Sequence, residues 1–139
     1  MAATNSKFLT EHGTVFYHTR GSSLAANVTI PYGTLAMNDA GVVKQAVTAV
    51  AGSGLLGVCL KDDGYVNGTG AALAGRYVFC RGLEVILMYD PNDPPVAADL
   101  GKAIAIKDNV TVKHTIAGDD LTVVLTEILS GNRCRVYLA

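Results

Sequence analysis

Tryptophan is absent, and aromatic residues make up only 6% of this 139-residue chain. A surface that stacks unpaired bases needs several exposed rings, so single-strand nucleic-acid binding is poorly provided for. Charge is scarce as well: 17% of residues are charged, and 11 basic against 12 acidic residues leave a formal −1. That balance gives no cationic field for a phosphate backbone and no polybasic run for a membrane surface. No apolar run approaches the roughly 18 residues that span a bilayer. Residues 1–20 lack the apolar core of a signal peptide. The expectation is a chain made and folded in a cytosol, without nucleic acid or membrane as partner. Half of its residues are hydrophobic, enough to pack the core of one compact domain.

The chain also lacks paired cysteines. Cys59, Cys80 and Cys134 are odd in number and far apart, with no C-x-x-C, so neither a zinc ribbon nor a thioredoxin-like centre is written here. They are expected to be small buried hydrophobes. The sequons at Asn27, Asn67 and Asn109 matter only in a secreted chain and are read as coincidence.

What is present is strand signal. Runs rich in Val, Ile, Leu, Thr and Tyr recur at the spacing of an all-β domain. They predict strands over 14–18, 24–30, 34–37, 42–50, 55–60, 72–80, 83–89, 102–106, 110–116, 121–129 and 133–138. Asp39-Ala40-Gly41, Asp63-Gly64, Asn67-Gly68, Asp108-Asn109 and Gly131-Asn132 punctuate them with residues that tolerate positive φ. Asp90-Pro91-Asn92-Asp93-Pro94-Pro95 must be a rigid loop, and 95–100 is the one short helix candidate. Val110, Val112, His114 and Ile116 alternate with polar residues as a half-buried strand requires. Val78, Val85, Leu87, Val112, Val124 and Val136 are the expected core.

A pattern occurs twice. Gly33-Thr34-Leu35-Ala36-Met37 leads through an Asp turn to Ala51-Gly52, Leu55 and Val58. Gly101-Lys102-Ala103-Ile104-Ala105 leads through Asp108-Asn109 to Ala117-Gly118, Leu121 and Val124. Two related three-strand units in one barrel or sandwich would produce it, and so would chance similarity between Val/Ala/Gly-rich strands.

Catalytic motifs fail on context. Gly52-Ser53-Gly54-Leu55-Leu56-Gly57 matches a dinucleotide-binding loop, but Asp63-Gly64 and Asn67-Gly68 leave no room for the helix that must hold the pyrophosphate. It is read as a glycine-rich turn. No G-x-S-x-G elbow exists. The pairs Asp62-Asp63 and Asp119-Asp120 sit beside turn glycines and are read as turn formers. His12 and His18 lack a third ligand, and His114, on an apolar face, is expected to be packed. Pairing of a cysteine with His114 stays open, because such partners meet only in space. No catalytic, cofactor-binding or metal-binding residue is assigned, no cofactor is expected, and the chain is read as not an enzyme.

Ile30-Pro31-Tyr32-Gly33-Thr34-Leu35-Ala36, a following Asp-Gly turn, and Leu55-Leu56-Gly57-Val58-Cys59 resemble the small head decoration (cement) proteins of tailed bacteriophages. Asp99-Leu100-Gly101-Lys102-Ala103-Ile104 and Arg133-Cys134-Arg135-Val136-Tyr137-Leu138 look like the second half of that family. The resemblance covers about residues 24–139; Cys59 stands where a small Ala is usual, and the N-terminal stretch has no match. It implies an all-β fold, a single small β-barrel or β-tulip of many short strands with at most one short helix. It also implies a homotrimer on the outer surface of the mature virion capsid, made in the host cytoplasm. There it would clamp neighbouring subunits of its partner, the major capsid protein, with no small-molecule substrate. Residues 1–23 are then an N-terminal arm and first strand, and 24–139 the barrel domain. Lys7, Phe8 and Leu9 in the arm are the candidate capsid contacts; a frayed terminus is the alternative. A small trimeric all-β nucleotide hydrolase of the deoxyuridine-triphosphatase type and a fibre-type module binding host glycans are the competing functions.

Overall fold

Short apolar runs separated by turns of a few residues pair with near neighbours, and here they build one pattern twice. The computed structural model describes residues 16–20, 23–48 and 53–139. The strands are β1 (Phe16–Arg20), β2 (Ser23–Leu24), β3 (Val28–Ile30), β4 (Leu35–Asp39), β5 (Val42–Gln45), β6 (Gly54–Val58), β7 (Tyr65–Asn67), β8 (Leu73–Ala74), β9 (Tyr77–Arg81), β10 (Leu83–Tyr89), β11 (Ala103–Ile106), β12 (Thr111–Lys113), β13 (Thr122–Leu129) and β14 (Arg133–Leu138). The fold is all-β.

The second half closes into a five-stranded barrel, β10-β12-β11-β13-β14. Its pairs are antiparallel except β10 with β12, which is parallel and closes the cylinder. The first half forms a sheet in the order β1-β9-β6-β4-β5-β2-β8, with β3 and β7 paired beside it. Its first five strands repeat the barrel's order and orientations, β1 standing for β10, β9 for β14, β6 for β13, β4 for β11 and β5 for β12. The closing pair recurs too: β2, which follows β1 after two residues, pairs parallel with β5. The sheet therefore curls in the barrel's strand order, a barrel-like unit in which β1 and β2 each take part of the place of β10.

Several registers agree, although β4 and β6 shift between Ala36 and Met37 where β11 and β13 do not. Leu35 faces Val58 as Ala103 faces Val124. Val58 faces Cys80 as Val124 faces Tyr137. Asn38 faces Val43 as Ile106 faces Val112. Gly33 and Gly101 both enter their strands with positive φ, 83° and 80°, where a side chain would be strained. Gly33 N–H donates to the Cys59 carbonyl at 2.7 Å, and Gly101 N–H to that of Leu125 at 2.8 Å. The return bonds, Cys59 N–H to Thr34 and Leu125 N–H to Lys102, also match. The doubled Gly/Asp pattern is thus a duplicated barrel rather than a chance likeness.

The two units share a core. Leu24, Ile30, Ala36, Val43, Leu56, Cys59, Tyr77 and Phe79 fill the first barrel, with the Tyr65 ring edge-on to Tyr77 and Phe79 at 5.2 and 5.6 Å. Because side chains alternate along a strand, Leu35, Met37, Val58 and Cys80 point the other way. They are buried in one cluster with Ile104, Ile106, Val112, Leu125, Val136 and Leu138 of the second barrel. The outer face of β4, β6 and β9 thus covers the end of the second barrel where β10 starts, β14 finishes and β11 turns into β12. Backbone bonds fix the contact: Leu35 N–H donates to the Asn109 carbonyl at 2.9 Å, and Val47 bridges to Asp108. Gly82 N–H and Arg81 Nε, both at 2.6 Å, donate to the carbonyls of Leu138 and Ala139.

Several sequence expectations need correction. Within the motif read as a turn, Gly54 to Gly57 lie in strand β6, Gly54–Val58. Gly57, at φ 136°, brings the chain so close to β9 that a Cβ would lie 2.2 Å from the Cys80 carbonyl oxygen. The strand expected over 24–30 breaks at Asn27, φ 53°, and that over 72–80 divides into β8 and β9. β7 went unread in the sequence because only three residues pair. The helix candidate is a single 3-10 turn, Ala97–Asp99. Of the expected core, Leu87, Val112 and Val136 are buried, whereas Val78, Val85 and Val124 are only partly covered. A β-bulge between Leu125 and Glu127 interrupts the regular pairing of β13 with β14.

Candidate functional site

The residues singled out for chemistry do not converge. Lys7, Phe8, Leu9 and His12 lie outside the described residues. His114 is not packed, contrary to expectation: it is exposed, and its Nδ1 lies 2.6 Å from Asp99 Oδ2. Strand β12 ends at Lys113, so of the alternating residues only Val112 faces the core. Asp99 also accepts from the Val96 amide at 2.8 Å, and that bond, with His114 beside it, holds its carboxyl below the usual carboxylate range. Asp93 accepts from the Thr115 amide and hydroxyl at 3.1 and 3.0 Å. Asp90 accepts from the Asn92 amide and from Lys107. The Pro-rich loop and the 3-10 turn after it are therefore tied by three carboxylates to Lys107, before β12, and to His114 and Thr115, after it.

The thiols are buried. Burial alone pushes Cys134 up to about 11, and burial also raises Cys59 above its ordinary value. A nucleophilic cysteine needs the opposite shift. The Asp pairs behave as turn residues: Asp120 accepts from the Ala117 amide at 3.0 Å and lies 3.3 Å from Lys113 Nζ, and Asp63 pairs with Lys61. Among the described residues, no three His, Cys, Asp or Glu side chains come together as a metal site, and no helix is long and apolar enough to cross a membrane.

What the second barrel does present is a mixed outer face. Alternation sends Glu84, Ile86 and Met88 of β10 outward, opposite Tyr137, Arg135 and Arg133 of β14. On the far side of β14, Val124 lies opposite Tyr137 and Glu127 opposite Arg135, with Arg135 Nε 3.1 Å from the Glu127 carboxylate. Ile86, Met88 and Tyr137 are 46%, 44% and 37% exposed. Large apolar and Tyr side chains interleaved with arginines, both signs of charge present, make a surface suited to another protein. Period-two alternation could have located these residues, but not that they stay uncovered.

No protein-family model matches the chain, and neither a curated protein nor a solved structure matches it.

Proposed function

We propose that the chain is a structural virion protein, a homotrimeric decoration protein that binds the outer surface of a mature tailed-phage capsid and clamps neighbouring major capsid protein subunits. The observation that carries the reading is where the resembling residues lie. Gly33 to Ala36 and Gly101 to Ile104 lead into the matching strands β4 and β11, while Leu55 to Cys59 run along β6 beside β4 and 133–138 is β14, the counterpart of β9. The repeated Gly-led strand is thus part of the framework of each unit, and the second unit leaves its outer sheet face exposed for contact. Physically, such a clamp works by mass action: a protein that binds only the expanded lattice stabilises that state, and repeated contacts multiply the effect. Lys7, Phe8 and Leu9 belong to this proposal as contacts between an N-terminal arm and the capsid.

The test is co-sedimentation of the purified chain with mature capsids that lack their decoration protein. Saturable binding at threefold or quasi-threefold positions is expected, and deleting residues 1–10 should weaken it. A folded chain that stays in the supernatant at all concentrations overturns the proposal.

A further inference from the structure

Strand β10 is paired on both sides only at its end. On one side it pairs with β14 from Leu83, opposite Leu138, to Met88, opposite Arg133. On the other side β12 joins it only at Met88 and Tyr89. Among the described residues, no strand pairs with Leu83 to Leu87 on that second side. Backbone groups point to alternate sides along a strand. Tyr89 N–H donates to the Asn132 carbonyl next to β14, whereas Met88 and Asp90 N–H donate to the Val110 and Val112 carbonyls on the β12 side. The N–H and C=O groups of Glu84 and Ile86 therefore face the side that β12 has not yet reached. Such an edge recruits another strand unless proline, lysine or a bulge blunts it. Leu83-Glu84-Val85-Ile86-Leu87 carries none of these, and Ile86 is 46% exposed.

The chain brings a segment of its own to that place. β9 runs through Gly82 into β10. Arg81 donates to the Leu55 carbonyl of β6, at 3.2 Å, and to the Ala139 carbonyl after β14, so β6 and β14 flank one side of this continuous run. β1 pairs with β9 on the other side, which is the side of the open edge. Because β1 is antiparallel to β9 and Phe16 stands opposite Arg81, the chain before Phe16 meets the start of that edge and points along it. We infer that Glu11 to Val15 form the missing strand, pairing antiparallel with Leu83 to Leu87 and closing the gap between β10 and β12. Length, tether and sequence select this occupant. The open edge is five residues long, because β12 takes over at Met88. The fifteen residues before Phe16 are attached at the edge itself, so their effective concentration there exceeds that of a separate chain. The strand signal of the sequence begins at Thr14, and no residue from 1 to 15 is a proline that would break the ladder. Residues 1–10, with Lys7, Phe8 and Leu9, are then left outside the barrel. The inference concerns the chain by itself and does not rest on the capsid reading.

The test is amide hydrogen exchange of the full chain, read residue by residue by NMR without capsids. Glu84 and Ile86 should exchange slowly, as Val85 and Leu87 do through β14. Deleting residues 1–10 should leave all four rates unchanged. Deleting residues 1–15 should speed Glu84 and Ile86 by about 10-fold or more, while Val85 and Leu87, which report an intact second barrel, keep their rates. Should that deletion fail to fold, Gly13→Pro/Thr14→Pro replaces it and should give the same acceleration: one of two adjacent residues must donate toward β10, and proline cannot. Fast exchange of Glu84 and Ile86 in the full chain overturns the inference, and so does protection that survives the deletion or the two prolines. Protection lost on dilution overturns it as well, since the strand would then come from a second copy. If capsid binding fails while this protection holds, the decoration proposal falls and the strand assignment stands.

Discussion

Asn67 offers the sharpest test of how the first barrel is held together. It is 2% exposed, and its amide nitrogen lies 3.1, 2.9 and 2.9 Å from the carbonyls of Leu24, Ala25 and Ala71. Its Oδ1 accepts from the Thr69 amide at 3.0 Å and the Thr69 hydroxyl at 2.7 Å. One side chain thereby ties the β2 end to the loop after β7. Truncation in Asn67→Ala strands the Leu24 carbonyl in the core at about 1–3 kcal/mol, while the groups nearer the surface lose about 0.5–1 kcal/mol each and recover water. The expected loss is about 3–7 kcal/mol, or roughly 10–25 °C in Tm for a chain of this length. Urea unfolding followed by circular dichroism measures it, with Thr69→Val, expected near 1 kcal/mol, as the graded comparison. Asn67→Asp should be worse than Ala, since a carboxylate oxygen would replace the donor among three carbonyls. A loss under about 1 kcal/mol for Asn67→Ala would refute the reasoning, because water would then be meeting the carbonyls equally well.

Gly57→Ala should cost about 3 kcal/mol or more, combining positive-φ strain with a Cβ driven into the Cys80 carbonyl, whereas Gly54→Ala, with open space around it, should stay within about 1 kcal/mol; thermal melts of the pair decide this. At pH 8, Cys134 at about 11 carries roughly 100-fold less thiolate than a thiol at the unperturbed 9.0, so iodoacetamide should label it only after denaturation. Asp90 and Asp99 both titrate below their ordinary value in the folded chain, chiefly through the Asn92 and Val96 amides. The stability they confer is therefore present above the unfolded carboxylate value, near 3.9, and is lost as pH falls through their folded values. Backbone NMR shifts of residues 90–99 should move in that acid window; changes confined to the neutral range would contradict the assignment.

Much of the architecture was legible before any coordinates. Turn residues and β-branched runs located most strands, because both act locally: Asp-Gly and Gly-Asn steps accept positive φ wherever they fall. The doubled Gly33 and Gly101 pattern announced the repeat. Covering was not legible. Val58 and Val124 hold the same place in the repeat, yet one is 1% exposed and the other half-open, because only the first has a barrel end against it. His114 misled for a related reason: alternation gave its face, but β12 ends one residue earlier and Asp99 draws the imidazole outward. The outer face of β10 and β14 was missed as a site because an exposed strand face carries no motif.

The Asn67 tie also works as a clock. Asn67-Gly68 is the kind of step at which a backbone nitrogen, unhindered by a following side chain, closes on the asparagine amide and expels ammonia. In the native chain that amide is held among three carbonyls, with its oxygen occupied by Thr69. The ring cannot close without dismantling the first barrel locally. Every opening long enough for the reaction leaves a permanent mark of about one mass unit and a new negative charge, with an oxygen facing the carbonyls of Leu24, Ala25 and Ala71 where the amide had donated. A population of this protein ageing outside a cell would thus accumulate a record of how often its first barrel had come undone, and each recorded chain would be less able to reseal.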